Sequence, residues 1–245
     1  MVLVAIAAAS PAALGTPDAL LPDLQPLPST EFRLKEFSNG TVQLRFSTWI
    51  ANAGPGALEL LPRLRDCDGD GDRSNDRTAI QRVYTDIDAD GVYTRKIDRI
   101  RETFPVGCFR FHATHDHWHF VDFARYELRS VDDGSLVSHN GKVGFCLVDS
   151  VRKLPATPGA PPGGYYGACS ADAVQGLSAG WADVYQYSLP GQSLEVTGVG
   201  PGEYCVVTTV DPAARLLEMS AADNTGRQLI RIKASGDVAR LSTPC

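Results

Sequence analysis

The stretch HATHDHWHFVDF, residues 112–123, holds four of the chain's five histidines: His112, His115, His117 and His119. Read as an extended strand, it points His115, His117 and His119 to one face, Asp116 and Trp118 to the other, and leaves His112 on the opposite parity. Neighbouring histidines on that face stand about 6.6 Å apart, a gap two side chains can lean across to share an ion at about 2.0–2.1 Å. Imidazole suits copper, zinc, iron and nickel, so the residue type narrows the metal without choosing it. The alternative is a hydrated polar face, but so local a concentration of a scarce residue favours a metal.

Carboxylates form two further groups. DCDGDGDRSNDR places Asp66, Asp68, Asp70 and Asp72 at alternate positions, and DIDADGVYTRKI does so with Asp86, Asp88 and Asp90. Both open as D-x-D-x-D-G calcium loops, but Arg77 and Ile97 stand where an EF-hand needs its bidentate Glu. The spacing therefore disfavours an EF-hand. Hard-cation binding remains an expectation beside the plainer reading of solvated acidic turns.

These residues need a scaffold. TVQLRFSTWI alternates Val42, Leu44 and Phe46 with polar neighbours, the signature of a half-buried strand. HFVDFARYEL, KVGFCLV, SLEVTGV, EYCVVTTV and RQLIRIKA read as further strands. TPDALLPDLQPLPST is too rich in proline for a helix and reads as an extended arm over the body, and LPATPGAPPGGYYG as an irregular loop. No long amphipathic helix or internal repeat is present. The expected fold is an all-β sandwich with long irregular loops, little helix and one domain over residues 19–245.

Composition bounds the function. The net charge of −6 disfavours nucleic acid and anionic membranes as partners and favours a cationic substrate. Residues 1–18 begin MVLVAIAAAS, an apolar, alanine-rich run that reads as a truncated secretory leader without its basic start, and no other segment approaches the length of a membrane span. The six cysteines include no C-x-x-C, so disulfides are their expected use.

Taken in order, the motifs resemble the catalytic domain of the lysyl oxidases over roughly residues 20–245. HATHDHWHFVDFARYEL resembles that family's copper segment, GKVGFCLVD is similar to its lysine-bearing F-C-L-x-D motif, and QGLSAGWADVYQY to its tyrosine-bearing Q-G-L-S-x-G-x-x-D-x-Y. PGEYCVVTTVDP followed by LEMSAADN is similar to its P-G-x-Y strand and calcium loop. The resemblance implies copper on His115, His117 and His119, and a lysine tyrosylquinone made from Lys142 and Tyr185. It implies oxidative deamination of primary amines, peptidyl lysine or small amines, to aldehydes with release of peroxide and ammonia, in a secreted protein. Asp122 and Asp183 are candidate bases by their proximity to the motifs. Calcium is implied at Asp23, Leu24, Glu218, Ser220, Asp223 and Asn224, with Ser220 and Asp223 in place of the family's usual Asp and Asn.

The chain also departs from the family. Thr114 and Arg152 occupy two cysteine positions of the animal pattern, so the resemblance implies that the orphaned Cys146 and Cys169 pair with each other; Cys205 with Cys245 and Cys67 with Cys108 is the simplest completion of the 15 possible connectivities. Trp181 and Gly191 replace the cysteines that bracket the quinone tyrosine. Two rivals remain at this stage: a zinc hydrolase using the same histidines, and a non-catalytic extracellular sandwich binding copper and calcium.

Overall fold

The computed structural model describes residues 18–72, 74–242 and 245, without the side chains of Gly141 and Lys142. Nearly all of the leader reading lies outside the described residues. The strands are β1 (Ala19–Leu20), β2 (Leu24–Glu36), β3 (Val42–Asn52), β4 (Leu58–Arg63), β5 (Asp76–Thr85), β6 (Arg99–His112), β7 (His117–Ser130) and β8 (Leu136–Phe145). They continue with β9 (Val151–Arg152), β10 (Gln175–Leu177), β11 (Trp181–Tyr185), β12 (Ser193–Glu195), β13 (Gly202–Val210), β14 (Thr225–Ile232) and β15 (Val238–Arg240). Among the described residues there is no α-helix, and none that could cross a membrane.

Two antiparallel sheets pack face to face. The larger runs β10-β4-β5-β6-β7-β13-β14-β15, with β1 on β5 and β8 on β7; the smaller is built on β3, which β2, β11 and β12 flank, with β9 beyond β11. Alternation explains the layers: in β3, Leu44, Phe46 and Ile50 are fully buried, and in β7 so are Tyr126 and Leu128. The rings of Phe46 and Tyr126 meet edge-on at 5.0 Å, joining the two sheets at the centre of the core.

Strand β7 changes face part-way. Asp122 sits at φ 57°, where the pairing register with β8 slips between Phe120 and Ala124. This bulge lets Phe120 and Phe123 both enter the core, and it separates the histidine end of β7 from its regular half.

The Pro-rich arm is extended as expected, but it is part of the sheet rather than laid over it: β2 pairs with β3 from Leu24↔Asn52 to Glu36↔Val42. Just before it, the chain crosses Gly54 and Gly56 so closely that a Cβ on Gly56 would lie 2.4 Å from the backbone of Leu20. Two expected strands are shorter than their apolar runs, since SLEVTGV is strand only over Ser193–Glu195 and KVGFCLV stops pairing at Phe145. All six cysteines are joined, as Cys67–Cys108, Cys146–Cys169 and Cys205–Cys245, the expected pairing.

Candidate functional site

The histidines do not share one strand. β6 ends at His112, residues 113–116 turn, and β7 begins at His117, its Cα partner being His112. The amides of His115 and Asp116 both donate to the carbonyl of His112 at 2.9 Å, and Asp116 closes the turn at φ 56°, a conformation Asp tolerates better than most residues. The single-strand reading is therefore corrected. His115 belongs to the turn, and strand parity does not set His112 apart, because cross-strand partners project from the same face.

The outcome is a cluster of four imidazoles. Ring centroids lie 4.3 Å apart for His112 and His115, 4.8 Å for His112 and His119, 4.9 Å for His117 and His119, and 5.5 Å for His115 and His117. His115 Nδ1 is 3.2 Å from His119 Nε2. Burial, reinforced by the neighbouring imidazoles, pushes His119 down to about 3, and it lowers His115 and His117 as well. Such rings stay neutral and keep a lone pair for a metal. Among the described residues His112 Nδ1 and His115 Nε2 are buried without a hydrogen-bond partner, the state of atoms that an ion would satisfy.

The start of β7 is held from its other edge. The Trp118 amide donates to the Cys169 carbonyl at 2.9 Å, and Gln175 Nε2 donates to the Trp118 carbonyl at 2.8 Å. Cys169 is tied to Cys146, whose own amide donates to the Tyr185 hydroxyl oxygen. One disulfide thus links the strand that carries the histidines to the group that holds the tyrosine.

Tyr185 arrives from the opposite sheet. Its ring packs on Phe145 with centroids 3.9 Å apart and meets His119 edge-on at 6.1 Å. Burial and the nearby Asp183 raise its hydroxyl above the ordinary phenol range. A cleft of about 330 Å³ opens over this junction, lined by His112, His115, His119 and Tyr185 together with Arg110, Phe111, Val121, Asn140, Val143 and Gln192. Lys142 falls on β8 between Asn140 and Val143, which line the cleft, but its side chain lies outside the described residues.

The two candidate bases part company. Asp122, at the bulge, faces Arg215 with an Oδ2 to Nη2 distance of 3.5 Å and does not line the cleft. Asp183 is two residues before Tyr185 on β11, 1% exposed, and accepts from Ser150 Oγ at 2.9 Å and from the Val184 amide at 2.9 Å. Among the described residues its Oδ2 has no partner, and burial pushes its carboxyl up to about 8.

At the far side of the sandwich the arm meets the late loop. The Leu24 amide donates to Glu218 Oε2 at 3.1 Å, Gln25 Nε2 bridges Asp23 Oδ2 at 3.0 Å and Asp223 Oδ2 at 2.6 Å, and Asn224 Nδ2 donates to Glu218 Oε1 at 2.6 Å. Asp23 also takes a hydrogen bond from the Ser220 backbone. Among the described residues three oxygens, Oδ1 of Asp23, Asp223 and Asn224, are buried with no partner, which suits a hard cation shared by the two segments. Burial raises Glu218 to about 7, and burial followed by repulsion from Asp223 raises Asp23.

The two acidic loops also gather their carboxylates: one oxygen each from Asp66, Asp68 and Asp70, and likewise from Asp86, Asp88 and Asp90, lie within 4.8 Å of one another. In both loops the first Asp accepts the amide of the loop's glycine, Gly71 to Asp66 at 2.8 Å and Gly91 to Asp86 at 2.7 Å. Asp72 stands outside the first group, and its oxygen accepts the Ser74 amide at 2.8 Å.

Sequence reasoning missed the backbone amide of Cys146 as a partner of Tyr185, since no side-chain type marks it. It also set His112 aside, although the short T-H-D stretch at residues 114–116 was a turn signal.

The family model described as Lysyl oxidase matches residues 86–242. The chain is 32% identical to protein-lysine 6-oxidase of Gallus gallus over 130 residues, which is 52% of this chain and 29% of that protein. It is 31% identical to protein-lysine 6-oxidase of Sus scrofa over 130 residues, 52% of this chain and 48% of that protein. Against lysyl oxidase homolog 1 of Homo sapiens the identity is 30% over 124 residues, 50% of this chain and 20% of that protein. The matched region thus spans less than half the length of each of these relatives.

Proposed function

The chain belongs to the lysyl oxidase family, and we propose from this that it oxidises primary amines to aldehydes, with peroxide and ammonia as the other products. The observation that carries the reading is the junction in the cleft: Tyr185 from one sheet stands against the imidazole cluster from the other, with Lys142 on the strand that forms the cleft wall. Copper and a lysine tyrosylquinone built from Lys142 and Tyr185 would supply the redox chemistry, the quinone serving as electron sink.

The chain's own groups divide the remaining work. Burial lowers His115, His117 and His119, which favours the neutral imidazoles that ligate copper(II). The Cys146 amide fixes the Tyr185 oxygen, and Phe145 fixes the ring plane, which restrains the tyrosine next to the histidines. Neither candidate carboxylate is among the cleft's lining residues; Asp183 is the better placed to carry a proton, because it shares the inner face of β11 with Tyr185 and burial raises its carboxyl to about 8. Asp122 serves the bulge and its contact with Arg215 instead.

A calcium ion at Asp23, Leu24, Glu218, Ser220, Asp223 and Asn224 would clamp β2 to the late loop, and the orphaned oxygens there support this. The substrate is a primary amine, peptidyl lysine or a small amine, whose ammonium form the net charge of −6 attracts. Three disulfides accord with an oxidising, extracellular setting.

The test is to load the protein with copper in air and map its tryptic peptides. A covalent Lys142–Tyr185 peptide, a visible phenylhydrazine adduct and peroxide release from an alkylamine are the expected results, and all three should vanish in Tyr185→Phe. Active protein whose two residues appear in unmodified, separate peptides would overturn the quinone.

A further inference from the structure

We propose that Gln192 is a further residue of the site: its Nε2 donates a hydrogen bond to an oxygen that the Tyr185 ring carries once it has become the quinone. The inference rests on the quinone reading above and adds to it a contact that neither the imidazoles nor Lys142 supply.

The first observation is register. β2 covers one edge of β3 along its whole length, so β11 and β12 follow one another along the other edge. Tyr185 ends β11 opposite Thr48, and Ser193 begins β12 opposite Arg45, which brings Gln192 level with Phe46. Phe46 and Thr48 are both fully buried and lie two positions apart, so they point to the same inner face. Opposite residues of an antiparallel pair share a face, and Tyr185 and Gln192 therefore stand side by side on it, about 6.6 Å apart along the strand direction. Asn140 pins the segment from β8, donating through Nδ2 to the carbonyls of Gly191 at 3.2 Å and Ser193 at 3.3 Å.

The second observation is the state of the amide. Gln192 is 0% exposed although it belongs to the cleft wall. Its Oε1 accepts from the Tyr126 hydroxyl at 3.2 Å, and among the described residues its Nε2 is buried without a partner. Burial raises the Tyr126 hydroxyl above the ordinary phenol range, so it keeps its proton and donates. A donating hydroxyl selects the carbonyl end of the amide and leaves the N–H end free for another acceptor. A buried donor is costly until it finds one.

The third observation is closure. Because Nε2 is shut off from solvent, its acceptor has to be carried by the protein, and an oxygen fixed on the neighbouring ring meets that condition where a diffusing substrate does not. A donor held in advance in this way stabilises negative charge on the oxygen it faces.

Resonance Raman spectra of the copper-loaded, air-oxidised full chain test the contact apart from turnover, on wild type and Gln192→Leu. In wild type the quinone carbonyl stretch is expected to shift when the solvent is changed to D2O, because the donated hydrogen exchanges. In Gln192→Leu the stretch should move to higher wavenumber, since a carbonyl relieved of a hydrogen bond stiffens, and the solvent shift should vanish. With an alkylamine, kcat should fall about 100-fold while KM stays within about threefold, the pattern of a donor that acts on the cofactor rather than on substrate binding. Copper content and far-UV circular dichroism check that the site and the fold persist. Should Gln192→Leu fail to fold, Gln192→Met, unbranched and of similar length, takes its place, and the solvent shift of wild type needs no variant at all.

A wild-type carbonyl band indifferent to D2O, or a variant whose band stays where wild type has it, would overturn the inference while leaving the quinone in place. A fall in kcat with the band unmoved would do the same, because Gln192 would then act through packing alone. A wild type with neither a quinone carbonyl band nor a phenylhydrazine adduct would overturn the quinone reading and this inference together.

Discussion

Replacing Asp183 by Asn should make the protein more stable at neutral pH, and the size of the gain follows from burial. In the unfolded chain this carboxyl ionises at the ordinary value of 3.8, whereas in the fold it holds its proton up to about 8. A raised folded value means the folded state binds the proton more tightly. The stabilising contribution is therefore complete below 3.8 and is lost as pH rises toward about 8. At pH 7 the loss amounts to about 4 kcal/mol, at 1.36 kcal/mol for each unit above the unfolded value. Asparagine is a near-isostere of the protonated acid: its oxygen can still accept from Ser150 and Val184, and its amide takes the place of an oxygen that has no partner. Urea unfolding of the chelator-treated, disulfide-intact proteins at pH 4, 5.5, 7 and 8 measures the difference. The two should be within about 1 kcal/mol of each other at pH 4 and diverge as pH rises, with Asp183→Asn the more stable. Parallel profiles would mean that Asp183 ionises normally in the fold, and the burial argument would fail. The same variant should lose amine turnover while keeping copper and the fold, because it removes the proposed proton carrier.

Other perturbations reach the scaffold. Calcium should raise the melting temperature and EGTA lower it, Glu218→Gln should blunt both responses, and calcium affinity should fall as pH drops through about 7, where Glu218 takes up its proton. Calorimetric scans with and without the ion check all three. Replacing Cys146 and Cys169 together by Ser should cost about 3 kcal/mol from the loop of 23 residues it opens, seen in guanidinium unfolding, and should slow phenylhydrazine labelling by releasing the amide that holds Tyr185. Gly56→Ala would drive a methyl group into the backbone at Leu20, so it should cost about 1–3 kcal/mol and expose the arm to limited proteolysis.

What the sequence by itself determined was anything local periodicity or residue chemistry can carry. The alternation in β3 and the second half of β7 named both faces of the sandwich, because side-chain direction in a strand depends only on position along it. Four histidines in eight residues announced an imidazole cluster, and the motif order pointed to the family. The tertiary structure decided the rest. Strand parity failed at the histidines because the chain reverses between His112 and His117, and a reversal places residues by cross-strand pairing rather than by counting. The arm joined the sheet because β3 offers a free edge along its whole length, a partner that no reading of the Pro-rich segment could supply. Tyr185 and Asp183 gained their properties from position alone: both are ordinary strand residues in sequence, and only the packing of one sheet on the other places the ring against His119 and strips water from the carboxyl. Desolvation depends on every neighbour at once, so it belongs to the assembled fold and has no counterpart in the local order of residues.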